Sequence, residues 1–225
     1  MKNLMVAVAL IACAPRVSLA QTEKQTIDTY ANKFLGTTEI VFHKDTADGI
    51  LEGCGLEFSA LGRDTARGGQ LYKINGSYYT RTSGSSIHGF LKLGVWDYSK
   101  DLTNPPKPFA PPRAFISGVN KPAARPASSM KSDNPAYSLH IFRFDENLRL
   151  ALESVSDNKR IDVIFNRYPG RMDTATAIDL TVKSSKILDD RFIKEHSDDM
   201  LSAFHECSLQ ILKLVESRLQ QIPGK

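Results

Sequence analysis

Two cysteines, Cys54 and Cys207, constrain this chain more than any other feature, because the third, Cys13, falls inside a segment that reads as an export leader. That segment has a cationic start at Lys2, an apolar run from Leu4 to Ala14, and the small-residue site Ser18-Leu19-Ala20 ahead of the polar Gln21-Thr22-Glu23. This is the pattern of a secretory signal peptide over residues 1–20. The apolar run is shorter than the roughly 20 residues needed to cross a bilayer. A second reading stays open, because Leu10-Ile11-Ala12-Cys13 resembles the box before the lipid-modified cysteine of bacterial lipoproteins and would anchor the chain through Cys13.

Either way the mature chain reaches an oxidising compartment with one possible intramolecular pairing, so a Cys54–Cys207 disulfide is expected. It would tie the first strand region to the last helix and favours one domain over two. The alternatives for Cys207 are weaker. His205 and Cys207 are two apart on a helix and point to different faces, so they do not converge on one metal ion. His43, His88, His140 and His196 are scattered singly. No metal and no cofactor is expected. A Cys–His nucleophile would require Cys207 to be a free thiolate.

Without residues 1–20 the chain has 205 residues with 27 basic and 25 acidic side chains. That length supports a sizeable core, and a net charge of +2 gives no reason to expect nucleic acid or a bulk polyanion as partner.

Periodicity organises the rest. Ile27, Tyr30, Ala31, Phe34 and Leu35 predict a short N-terminal helix ending at Gly36. Strands are expected at Glu39–His43 and at Gly53–Leu61, with a turn at Asp48-Gly49 between them. In Leu71–Arg81, Asn75-Gly76 between two β-rich runs predicts a type I′ hairpin turn. Ile87–Tyr98 alternates on two apolar faces. Residues 104–136 hold most of the prolines together with Lys107, Arg113, Lys121, Arg125 and Lys131, and read as a basic loop or linker with a short strand at Ala114–Val119. Beyond it, Leu139–Phe144 and Leu148–Val155 resume a second strand group. Ile161, Val163 and Phe165 then pair with Ile178, Leu180 and Val182 across a turn at Tyr168–Arg171. A helix over 198–221, with Ser197 as N-cap, closes the chain and turns Leu201, Phe204, Cys207, Ile211 and Val215 to one side.

The expected fold is α+β and mostly β: an antiparallel sandwich-like core from strand groups 37–103 and 137–183 in a single domain over 21–225, with a helix at each end and one disulfide. Motifs of chemistry are absent. Ser128-Ser129-Met130-Lys131 followed by Ser132-Asp133-Asn134 matches two short motifs of serine β-lactamases, but they abut in a proline-rich segment and no Lys-Thr-Gly accompanies them. The strongest functional signal is aromatic and basic: Tyr72, Tyr78, Tyr79, Trp96, Tyr98 and Arg113 as a binding surface. The chain is therefore expected to be a periplasmic or secreted binding or accessory protein of the bacterial envelope, not an enzyme. It would engage another envelope or secreted protein through a sheet face or the Pro-rich loop, with no transmembrane span in the mature chain. Two alternatives are a periplasmic hydrolase whose site is assembled from distant residues and a lipid-anchored structural protein.

Overall fold

The computed structural model describes residues 29, 31–64, 68–83, 86–98, 104–167, 173–188 and 191–220. Contacts divide the chain into two units, residues 1–32 and 33–225. In the first, Thr29, Ala31 and Asn32 are helical. The leader, Cys13 and most of the expected N-terminal helix lie outside the described residues.

Among the described residues of the second unit, twelve strands and two helices follow. Four long strands, β1 (Gly36–Ala47), β2 (Ile50–Asp64), β3 (Gln70–Ser83) and β4 (Ser86–Asp97), form an antiparallel meander. Three short strands come next: β5 (Lys107–Phe109), β6 (Ala114–Ser117) and β7 (Ser128–Lys131). Then come β8 (Tyr137–Arg143), helix α1 (Glu146–Asn158), β9 (Arg160–Phe165), β10 (Thr174–Asp179), β11 (Val182–Leu188), β12 (Arg191–His196) and helix α2 (Asp199–Gln220). The large sheet runs β1-β2-β3-β4-β8-β7, with β5 sharing the free stretch of β4 beyond β8. A three-stranded sheet runs β10-β9-β6, and β11 and β12 form a separate hairpin.

Alternation of side chains fixes one face of each sheet toward a common core. Leu56, Phe58, Ile74, Leu91, Leu93 and Phe142 of the large sheet are buried together with Ile116, Ile161, Val163, Phe165 and Ile178 of the small one. Helices α1 and α2 complete it with Leu148, Ala151, Leu201, Phe204 and Ile211. Cys207, from the buried stripe of α2, forms the disulfide with Cys54 of β2. The chain is thus mostly β, antiparallel and sandwich-like, with a helix at each end.

Several local expectations change. Asn75-Gly76 is not a turn: both residues lie inside β3, paired with Ser59 and Phe58 on one side and Gly94 and Leu93 on the other. The hairpin instead turns around Gly68 and Gly69, both at positive φ. Gly76 is held in the strand by its neighbour, because a Cβ there would come 2.5 Å from the Phe58 ring. Leu148–Val155 is helix rather than strand. Asp145 caps it by accepting the Leu148 N–H at 2.9 Å, Arg149 bridges Glu146 and Glu153, and Lys159 ends it in the left-handed region. The chain turns at Leu180-Thr181, so Val182 opens β11 and the β11–β12 hairpin has no counterpart in the sequence reading. The expected turn at Tyr168–Arg171 lies outside the described residues. The Pro-rich segment is no free linker, since β5 and β7 join the large sheet and β6 the small one.

Candidate functional site on the outer sheet face

The six aromatic and basic residues singled out in the sequence do not share a surface. Tyr72 and Tyr78 point into the core, at 2 % and 4 % exposure, and so leave the candidate surface. The Tyr72 hydroxyl bonds Thr176 of β10 at 2.9 Å, and its ring lies edge-on to Phe165 and beneath the Arg167 guanidinium at 4.5 Å. Arg167, with 1 % of its side chain exposed, also pairs with Asp64 and Asp97 at the ends of β2 and β4. These four residues clasp the two sheets together. Tyr78 packs edge-on against Phe204 of α2, and burial pushes its hydroxyl up to about 12. Tyr98 lies past the end of β4, where its carbonyl accepts from Gln70. Arg113 sits at the mouth of the small sheet, exposed and paired with Asp173 at 2.8 Å. Tyr79 and Trp96 remain, both half-buried on the outer face of the large sheet.

That outer face is where the structure gathers an open constellation. The registers align its side chains in three rows across β1, β2, β3, β4 and β8. The first is His43, Gly55, Tyr79, Phe90, Ile141; the second Val41, Glu57, Ser77, Lys92, Leu139; the third Glu39, Ser59, Asn75, Gly94, Tyr137. Large rings lie over the glycines: a Cβ on Gly55 would be 2.3 Å from the Tyr79 ring and one on Gly94 2.8 Å from Trp96. Trp96 and Tyr137 meet edge to face at 5.4 Å, and His43 lies over Tyr79 at 6.4 Å. Burial, followed by the Glu57 and Asp45 charges, raises the Tyr79 hydroxyl above its ordinary range.

Between these rings the central strands carry only short side chains, Ser59, Asn75 and Ser77, and leave a groove of about 380 Å³. Ser59 donates to the Asn75 side-chain oxygen at 2.8 Å, fixing the floor. Glu39, Val41 and Glu57 form one bank, and Lys92 and Tyr137 the other. Lys92 is paired with Asp133 at 3.2 Å and stands 5.4 Å from the centre of the Tyr137 ring. Ser132 and Lys92 hold the Asp133 carboxyl down near 2. Sequence reasoning missed the floor because Asn75-Gly76-Ser77 reads as a turn; residues so poor at forming strands, placed mid-strand, were the available signal.

A second groove, about 390 Å³, runs between α1, α2 and the β3–β4 end and is lined largely by Ile87, Phe144, Leu152, Leu201, Leu209 and Leu212. Its surface is mainly apolar, with Thr80, Arg149, Glu153, Ser156, His205 and Ser208 also in the lining.

Neither nucleophile raised by the sequence, Cys207 or the serine-lysine motif, is set up for acyl transfer among the described residues. Cys207 carries no thiol, being disulfide-bonded. Ser129, in the serine-lysine motif, lies on β7 with its hydroxyl 2.8 Å from His140 Nδ1, but the other ring nitrogen contacts Ser138 and not a carboxylate. Burial lowers His140 to about 4, too weak a base for neutral pH. The imidazole is instead a core group held between two serines. Because its folded value lies below the unfolded 6.5, the unfolded chain binds the extra proton. The stability this group contributes is therefore full above pH 6.5 and is lost progressively as pH drops from 6.5 to 4. The expected loss is about 3 kcal/mol. Urea midpoints at pH 7 and 4.5 should show it, and His140→Gln should flatten that slope; an unchanged slope would refute the assignment.

Among the described residues no three His, Cys, Asp or Glu side chains converge as a metal site, and no helix is long and apolar enough to cross a membrane. Comparison of the chain with protein-family models, curated proteins and solved structures finds no match.

Proposed function

We propose that the protein is an exported, non-enzymatic binding module of the cell envelope that engages a partner protein through the outer face of its large sheet. One observation carries the reading. The inner face is buried beneath the small sheet and the helices, whereas the outer face presents half-exposed Tyr79, Phe90, Trp96, Tyr137 and Ile141 around a polar groove. Rigid rings supply contact area at small entropic cost, and short polar side chains between them supply orientation. Export is supported by the leader pattern and by the disulfide, a bond typical of oxidising compartments. The Pro-rich segment is the weaker candidate for the interface because its strands are absorbed into the two sheets.

A photo-crosslinking residue tests this at Val41 or Met130, which are exposed on the two flanks of the outer face at 37 % and 49 %. Both positions should capture the same envelope protein from native cells, identifiable by mass spectrometry, while a probe at exposed Leu188 on the β11–β12 hairpin should not. Capture from Leu188 alone, or identical capture from all three, would overturn the reading.

A further inference from the structure

The groove has a charge pattern that narrows what can enter it. Its one cation, Lys92, is already compensated by Asp133, which sits behind it on the β7–β8 turn. The two carboxylates on the opposite bank are less fully answered. Glu57 lies 3.4 Å from His43 Nε2, a longer contact than the 3.2 Å of Lys92 to Asp133, and among the described residues Glu39 has no ion pair. The groove is therefore acidic, on a chain whose formal net charge is +4.

Shape adds a second constraint. Val41 and the Tyr137 ring give apolar walls, while Ser59, Asn75 and Ser77 keep the floor low and supply hydroxyl and amide oxygens. Three short polar residues on the exposed face of central strands are a poor choice for sheet stability, where branched and aromatic residues pack best. Local choices that conflict with the fold concentrate at functional positions. An aliphatic stem against Val41 with a cationic head at Glu39 and Glu57 satisfies the apolar and charged groups of that bank, and the low floor leaves it room to enter. A carboxylate or phosphate would meet two like charges.

We infer that this groove receives a lysine or arginine side chain of the partner protein, held by Glu39 and Glu57 with its stem against Val41. The inference rests on the sheet-face reading above and adds the chemistry of the contact. Long cationic side chains lay their stems on apolar surface and their heads on carboxylates, and the contact should weaken with salt.

The test uses the full chain, isotopically labelled for NMR, titrated with acetylated and amidated arginine, lysine and citrulline. Citrulline keeps the shape of arginine and lacks its charge. The arginine or lysine probe should give saturable shifts at the amides of Asn75, Gly76 and Ser77, with citrulline weaker by about tenfold or more. The Glu39→Gln/Glu57→Gln double variant should lose the same factor while keeping its melting temperature, since both side chains are exposed. Citrulline binding as well as arginine, an unaffected double variant, or no saturable shift at the groove in the millimolar range would each overturn the inference. Crosslinking from Val41 separates the two levels. Partner capture undiminished in the double variant sinks the groove contact and leaves the sheet-face reading standing, whereas no capture by the wild-type chain sinks the reading itself.

Discussion

Replacing Cys54 and Cys207 together by alanine is expected to lower the unfolding free energy by about 4 to 5 kcal/mol, the chain-entropy value for so long a loop. The two residues are 153 apart, and both are buried, at 0 % and 3 % exposure. The bond joins β2 to α2, so the unfolded chain without it regains nearly the whole freedom of the segment between them. The native state loses less, because Leu201, Phe204 and Ile211 still bury the same face of α2. Urea unfolding of the double variant beside the oxidised wild type measures the difference. A loss below about 1 kcal/mol would mean that the helix and the sheet remain associated in the unfolded chain, contrary to the entropic account.

Arg167→Ala should cost about 3 to 5 kcal/mol, the range for breaking a buried ion pair by removing one partner. Asp64 and Asp97 would then lose the guanidinium that lies over the Tyr72 ring between the layers. Arg113→Ala is the control. Its pair with Asp173 is about half exposed, and such pairs contribute about 0 to 1 kcal/mol. Equal effects in the two variants would show that the clasp is not what joins the sheets at that end. Both are read from the midpoint of chemical unfolding.

What could be read in the sequence depended on how local its cause was. The pattern of α2, with Ser197 accepting the Asp199 N–H at 3.1 Å, is written in consecutive residues, and so is the β9–β10 pair. The disulfide was legible because two cysteines allow one pairing. Asn75-Gly76 misled because turn chemistry is local, while the Phe58 ring that occupies the space above Gly76 comes from a neighbouring strand. Helix α1 was overlooked although Leu148, Ala151 and Val155 have helical spacing and Asp145 supplies a cap. Alternation in β3 and β4 showed two faces without saying which one a second layer covers. That is why Tyr72 and Tyr78 were placed beside Tyr79 on a surface they do not share.

The rims of the large sheet bear on how copies of this protein coexist at high concentration. An unpaired edge strand is a template for adding another chain, and cross-β aggregation begins there. At one rim β7 is only 4 residues long, fully exposed, with Pro126 just before it and Lys131 at its end. At the other, β1 is broken by register shifts at Thr37/Glu39 and Asp45/Thr46, and its Thr37 hydroxyl is taken by the Asp179 N–H at 2.7 Å. Neither rim offers a long, flat ladder of free backbone groups. A sheet so guarded can leave rings open on its face without inviting fibrils.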